Sequence, residues 1–289
     1  MLSVLIPAYD FNCRPLVEAL SRQADGLGAE CEIVVANDAS PRFQDEIRSV
    51  AALPHVRYLE QKVNQGRSRI RDFLADEARY PYLIFLDGDA RMIDDAFLQR
   101  YLACCRPSCC VLGGIAYDAV LPDEAYRLHW TYGRLRESRL QERGVFTPFN
   151  FMIDKKLFNR IRFDEEIVGY GYEDALFGAR LKDVAEVTFI RNPLIHAGLN
   201  DAASYLERTR QACRTLLSLS ERYTSDYIAS FSRLWWAYKH LRRLGLVPGA
   251  AAVFRRWAPA ITRQLSGRHP RMFLLDLYKL GCLCQNSCC

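Results

Sequence analysis

No stretch of the 289-residue chain approaches the ~18 consecutive apolar residues that a membrane-crossing helix needs, which argues against an integral span. The opening Met1 to Ala8 is apolar but lacks a basic leader and a small-residue cleavage site, so it reads as a first strand and not as a signal peptide. A prenylation box is missing too, because Ser287 precedes the terminal Cys288–Cys289 pair. Eleven cysteines are present, yet the spaced pairs of a structural zinc site are not: Cys104/Cys105 and Cys109/Cys110 are adjacent, and neighbouring side chains diverge. The sequence therefore predicts semi-apolar cysteines beside a strand, and a cytoplasmic protein that rests at most on the inner face of a membrane.

The last 64 residues are short of acid. From Asp226 onward ten lysines and arginines face only Asp226 and Asp276, roughly +8 against +5 for the whole chain. Trp235, Trp236, Tyr238, Phe254 and Trp257 are interleaved with those charges. Such helices either lie on anionic headgroups or pack their aromatics on a core. No recognised nucleic-acid motif accompanies the charge, so no nucleic-acid partner is expected.

What is present is an α/β alternation. Half the residues are apolar and a quarter charged, as in ordinary globular chains. Strands are expected at Leu2–Ile6, Glu32–Ala36, Val56–Leu59, Tyr82–Leu86 and Val111–Ala116, with helices at 14–23, 43–50, 66–78 and 97–104 between them. This predicts a mostly parallel sheet flanked by helices. A charged helix over 124–142, a strand at 149–153, a helix at 173–181, a strand at 186–190 and a final strand or loop at 194–199 follow, and from Ser204 the pattern is helical throughout. Residues 1–200 read as one catalytic domain, with a nucleotide-binding half (1–90) and an acceptor-binding half (110–200). Residues 201–289 read as a basic helical extension.

The polar clusters Ala8-Tyr9-Asp10, Asn37-Asp38 and Asp87-Gly88-Asp89 each follow the C-terminal end of a strand. Ligands of open α/β sheets bind at that edge, so the clusters are expected to converge. Two carboxylates one residue apart can share a divalent cation with phosphate oxygens, although a solvated turn has the same sequence. Glu173-Asp174, behind Gly169-Tyr170-Gly171-Tyr172, reads either as charge at a helix N-terminus or as a general base on a glycine-rich loop. His196 is either a structural histidine or a ligand.

The ordered set Val4-Leu5-Ile6-Pro7-Ala8-Tyr9, Val35 to Ser40, Asn64-Gln65-Gly66, Leu86 to Asp89, Phe163-Asp164-Glu165 and Gly171 to Asp174 resembles family 2 glycosyltransferases of the GT-A fold. The resemblance covers roughly residues 1 to 200. It implies inverting transfer of a hexose or N-acetylhexosamine from a nucleotide donor, usually a UDP-sugar. The acceptor is a hydroxyl of a saccharide or a lipid-linked saccharide, as in cell-surface polysaccharide synthesis.

Carried onto this sequence, it implies that Pro7, Ala8 and Tyr9 line the base and ribose pocket and that Asp38 contacts the base. Asn64, Gly66 and Arg71 lie close to the nucleotide, with Asp87 and Gly88 beside the ribose. Asp89 holds the metal, with Asp87 and His196 as further members of its shell. Asp174 is the catalytic base and Glu173 its acidic neighbour. A carboxylate and imidazole shell leans toward Mn²⁺ over Mg²⁺. Asn37, Ala39, Ile70 and Asp72 depart from the usual residues of those segments.

A sugar-nucleotide-binding protein without activity has no use for Asp174. A sugar-phosphate nucleotidyltransferase needs a Gly-rich, basic phosphate loop after the first strand, where Pro7-Ala8-Tyr9-Asp10 stands instead.

Overall fold

A computed structural model describes residues 1–167 and 169–287. Cys288 and Cys289 lie outside the described residues. In chain order the elements begin with β1 (Leu2–Ala8), α1 (Arg14–Asp25), β2 (Cys31–Asn37), α2 (Gln44–Arg48), β3 (Val56–Glu60), α3 (Arg67–Glu77) and β4 (Tyr82–Leu86). There follow β5 (Ala90–Arg91), α4 (Phe97–Leu102), β6 (Cys110–Leu112), β7 (Ile115–Ala116), α5 (Arg127–Leu135), β8 (Asn150–Asp154) and α6 (Lys155–Ile161). The remainder is α7 (Glu173–Lys182), β9 (Val187–Phe189), β10 (Leu194–His196) and the helices α8 (Ala202–Arg222), α9 (Ser225–Phe231), α10 (Arg233–Arg243), α11 (Val247–Leu265) and α12 (Met272–Asn286).

The chain divides into two compact units. One comprises Met1–Asp118, Arg136–Glu166 and Arg180–Gly198; the other comprises Ala119–Leu135, Ile167–Ala179 and Leu199–Cys289.

The first unit is built on a seven-stranded sheet in the order β3-β2-β1-β4-β8-β6-β9. β1 pairs in parallel with β2 and β4, and only β8 runs against its neighbours. Strands covered on both faces read as continuous apolar runs, which is why Leu2–Ile6 and Tyr82–Leu86 show no alternation. The core takes Val4, Ile6, Ile33, Val35, Ile84 and Leu86 from the sheet and Leu16, Val17 and Leu20 from α1. Pro15 stands in the first turn of α1, which its fixed φ suits, and the helix closes at Gly26.

The expected strand over 111–116 is two strands in two sheets. Gly113 separates them because a Cβ there would meet Asn150 Nδ2 at 2.5 Å and the Tyr101 hydroxyl closer still, and Gly114 has φ +104°. β6 stays in the large sheet while β7 joins a three-stranded sheet, β5-β10-β7. The single helix expected over 124–142 is also corrected: α5 is flanked by short 3-10 turns at Glu124–Tyr126, Glu137–Arg139 and Gln141–Arg143. Gln141 is fully buried and donates to Thr147, so its side chain anchors a loop where a helix would carry it onward.

The cysteines among the described residues behave as small apolar residues. Cys109 and Cys110 are buried at the start of β6, and burial pushes the Cys105 thiol up to about 11.

The second unit is helical. Its core gathers Leu206, Leu216 and Leu219 of α8, Trp235 and Tyr238 of α10, Phe254 of α11 and Leu275 and Tyr278 of α12. Gly281 lets α12 lie against Phe254, since an added Cβ would overlap that ring. Trp235 is buried and donates from Nε1 to Ser225 at 3.0 Å, whereas Trp236 and Trp257 are more than half exposed. Among the described residues no helix is long and apolar enough to cross a membrane.

Candidate active site

Because β2, β1 and β4 are adjacent and parallel, their C-terminal ends bring three of the sequence clusters together. Asp38 N–H donates to Ala8 O at 2.9 Å, and Asp10 N–H donates to Ser40 Oγ at 3.1 Å. A Cβ on Gly88 would stand 3.0 Å from Pro7 O, so the Asp87–Asp89 turn presses on the end of β1. Pro7 and Ala8 are largely covered in this edge, while the Tyr9 ring is exposed.

Asp38 is nearly fully buried, and both its oxygens accept backbone amides, from Gln65 at 2.6 Å and Gly66 at 3.1 Å. Asn64 Nδ2 donates to Asp38 O at 3.2 Å. Burial raises the Asp38 carboxyl, and the Gln65 and Gly66 amides oppose that rise. The aspartate thus ties the 64–66 loop to the sheet edge. Gly66 is suited to that loop because it opens α3 with φ +80°, a conformation that side chains disfavour.

Arg71, one turn into α3, is 2% exposed. Its guanidinium donates to Asp87 Oδ1 at 2.5 Å and to Arg67 O at 3.3 Å, and lies 5.5 Å from the centre of the Phe163 ring. Asp87 is thereby paired while Asp89 turns elsewhere.

Asp89 leads into β5, and β5 pairs antiparallel with β10 in the register His196↔Ala90. Ala197 N–H donates to Asp89 O at 3.0 Å. This pairing brings residues 107 positions apart into contact, with His196 Nε2 3.2 Å from Asp89 Oδ2. Gly198 is what leaves room: a Cβ there would lie 2.7 Å from Asp89 Cβ and Cγ, and closer still to Oδ2. The imidazole is flanked by Phe149 and Tyr117, with ring centres at 5.0 and 5.5 Å. Burial alone would lower its pKa. The charge and hydrogen bond of Asp89, with Glu137 and Asp87 behind, outweigh that and raise it to about 9.

The donor set fits a divalent cation. Two ligands at right angles on an ion with bonds of about 2.1 Å stand about 3 Å apart, close to the 3.2 Å between Asp89 Oδ2 and His196 Nε2. Asp87, held by Arg71, stands in the same turn. Tyr117, Phe149, Glu137 and Gly198 belong to none of the motifs read from the sequence.

Glu173 and Asp174 belong to the second unit and open α7. The loop before them holds Gly169, Gly171 and Tyr172 at φ +127°, +92° and +69°. A Cβ on Gly171 would sit 2.8 Å from Ala212 Cβ of α8, and Thr215 donates to Tyr170 O at 3.1 Å. Glu173 is buried; Asp174 is half-buried and its Oδ1 accepts from Ala175 N at 2.7 Å. Asn150 is fully buried in the first unit. It bonds Tyr101, Gly114 and Asn192 there, which makes it a core residue.

Comparison with solved structures agrees with this architecture. A mannosyltransferase from Pyrobaculum calidifontis, solved in complex with GDP-Man and Mn²⁺, is similar with a TM-score of 0.59 at 14% identity, over 99% of this chain and 86% of that one. S. aureus TarS is similar with a TM-score of 0.52 at 19% identity, and the match spans 83% of this chain but only 43% of TarS. At these identities the likeness is one of fold, and the fold is GT-A. No curated protein matches the chain. The family model described as glycosyl transferase family 2 matches residues 3–162, more than half of the chain, and the chain belongs to that family.

Proposed function

We propose that the protein is a metal-dependent, inverting glycosyltransferase that moves a hexose or N-acetylhexosamine from a UDP-sugar to a hydroxyl of a saccharide or lipid-linked saccharide. The observation that carries this reading is the facing pair Asp89 and His196 at the carboxyl edge of a family 2 sheet. The mannosyltransferase with GDP-Man and Mn²⁺ supports a nucleotide-sugar donor and Mn²⁺, with Mg²⁺ as the substitute. Residues 1–200 form the catalytic part, 1–90 serving the nucleotide and 110–200 the acceptor.

Pro7, Ala8 and Tyr9 take the base and ribose. Asp38 contacts the base and keeps the Asn64–Gly66 loop in place beside it, and Gly88 lets the turn approach β1. Asp89 and His196 hold the cation, with Asp87 fixed by Arg71 at its side. When bound, the cation neutralises charge on the leaving diphosphate. Asp174 takes the proton of the acceptor hydroxyl as that oxygen attacks the anomeric carbon from the face opposite the leaving group, and Glu173 orients the acceptor. The basic 201–289 region, with Trp236, Trp257 and Phe273 exposed, supports contact with an anionic membrane surface at the cytoplasmic face.

The test is a panel of UDP- and GDP-sugars with Mn²⁺ and the purified full chain, scored by nucleotide release with and without saccharide acceptors. Release is expected from one UDP-sugar and is expected to vanish in Asp89→Ala. If no nucleotide sugar is turned over, the transferase reading is wrong.

A further inference from the structure

A metal-binding histidine needs its coordinating nitrogen free of a proton, and the partner of the other nitrogen decides which is free. His196 sits on the central strand of the small sheet. On one side its neighbour strand β5 follows directly from Asp89; on the other, β7 runs directly into Tyr117. The sheet therefore places Asp89 and Tyr117 at opposite nitrogens: Nε2 is 3.2 Å from Asp89 Oδ2 and Nδ1 is 2.9 Å from Tyr117 Oη. The tyrosine hydroxyl in turn donates to Glu137 Oε2, on the 3-10 turn Glu137–Arg139.

Proton counting fixes the direction of this chain. A phenol has one proton, and an ionised carboxylate can only accept. Once Tyr117 donates to Glu137, its oxygen has only lone pairs to offer, and the bond to the ring must run from Nδ1–H to Tyr117. With the ring's pKa raised to about 9, both nitrogens are protonated while no cation is bound. The neutral form that can take a cation keeps one ring proton, the Tyr117 oxygen holds it at Nδ1, and Nε2 is left with its lone pair facing Asp89.

We infer that Tyr117 and Glu137 are positioning residues that hold His196 in the Nδ1–H tautomer with Nε2 aimed at the Asp89 cation site. The inference rests on the proposed metal role of His196. Phe149 and the Tyr117 ring both pack on the imidazole and limit its rotation. Without the hydroxyl the ring is free to place its proton on Nε2, where Asp89 accepts it and the cation is excluded.

The test uses the full chain and reads two quantities. Mn²⁺ affinity in the presence of UDP is followed by the EPR signal of free Mn²⁺, and the His196 tautomer by long-range ¹H–¹⁵N correlation on histidine-labelled protein with Mg²⁺ and UDP. The chain has only five histidines, so assignment through His196→Ala is direct. Tyr117→Phe is expected to weaken Mn²⁺ by about 10- to 100-fold and to lose the Nδ1–H pattern, which a merely structural role would leave in place. Glu137→Gln keeps an acceptor oxygen and loses the charge, so a smaller loss in the same direction is expected. It also serves where Tyr117→Phe fails to fold. In a His196→Ala background, Tyr117→Phe should add nothing. Unchanged Mn²⁺ affinity and tautomer in both Tyr117→Phe and Glu137→Gln, beside a weakened His196→Ala, overturn this inference alone. Unchanged Mn²⁺ affinity in His196→Ala overturns the ligand assignment and this inference with it.

Discussion

Replacing Gly198 with alanine adds one methyl group at the point where β10 leaves the small sheet. Its consequence can be worked from distances. The new Cβ would lie 2.7 Å from both Cβ and Cγ of Asp89. Non-bonded carbons rest at about 3.5–4.0 Å, so the aspartate must withdraw by about 1 Å. Turning the carboxylate to another rotamer moves Cγ but not the Asp89 Cβ, so the backbone must shift as well. That backbone is tied to the same segment by the 3.0 Å bond from Ala197 N–H to Asp89 O. Overpacking of this kind costs about 1–3 kcal/mol of stability. The larger effect is on the Asp89–His196 separation, which would no longer suit one ion. We expect Mn²⁺ affinity to fall by about 100-fold, or about 2.7 kcal/mol. The assay is an Mn²⁺ titration with UDP, paired with thermal unfolding, with Gly249→Ala as control because nothing stands within 4 Å of a Cβ there. A folded Gly198→Ala protein that binds Mn²⁺ within about twofold of wild type would refute the steric argument.

Three further outcomes are expected. Asp72 is nearly fully buried, with one oxygen accepting from Phe163 N at 3.3 Å and the other without a partner among the described residues; burial first, against that amide and Arg162, pushes its carboxyl up to about 7. The folded state therefore binds a proton more readily than the unfolded one, so stability drops as pH rises from about 4 to 7 and is level above that. Asp72→Asn should stabilise by about 1–2 kcal/mol at pH 8 and by nothing at pH 4; urea melts at both values check this, and a pH-independent difference contradicts it. Arg71→Met strips Asp87 of its buried partner and should cost about 2–3 kcal/mol in the same melts; no change would mean that the pair contributes no stability. Asp174→Asn should abolish sugar transfer while calorimetry shows donor binding retained, and parallel loss of both would move the base elsewhere.

Much of the frame could be read in advance because it depends on local chemistry. The apolar run Tyr82–Leu86 ended by Asp87-Gly88-Asp89 could hardly be anything but a central strand opening into a polar turn, and β4 has those bounds. Asp38 was picked out as a polar residue after a strand, yet its grip on the Gln65 and Gly66 amides depends on how β2 and α3 meet across the sheet edge. The break at Gly113–Gly114 was hidden because Val111, Leu112 and Ile115 are equally apolar on either side, and only the Tyr101–Asn150 hydrogen bond behind them shows why no side chain fits. Tyr117 and Glu137 carry no motif at all; their meaning lies in one register of a three-stranded sheet.

The Arg71–Asp87 pair has a thermodynamic corollary. With Asp87 paired to a buried guanidinium, the two aspartates of the turn present about one negative charge, and His196, once it has given up its proton to take an ion, adds none. A divalent ion seated there keeps a surplus of positive charge that the protein does not cancel. The diphosphate of the proposed donor supplies the missing counter-charge, so ion and donor each raise the affinity of the other by the same factor. Loading is then a joint event, and departure of the spent nucleotide loosens the ion that helped to bring it in.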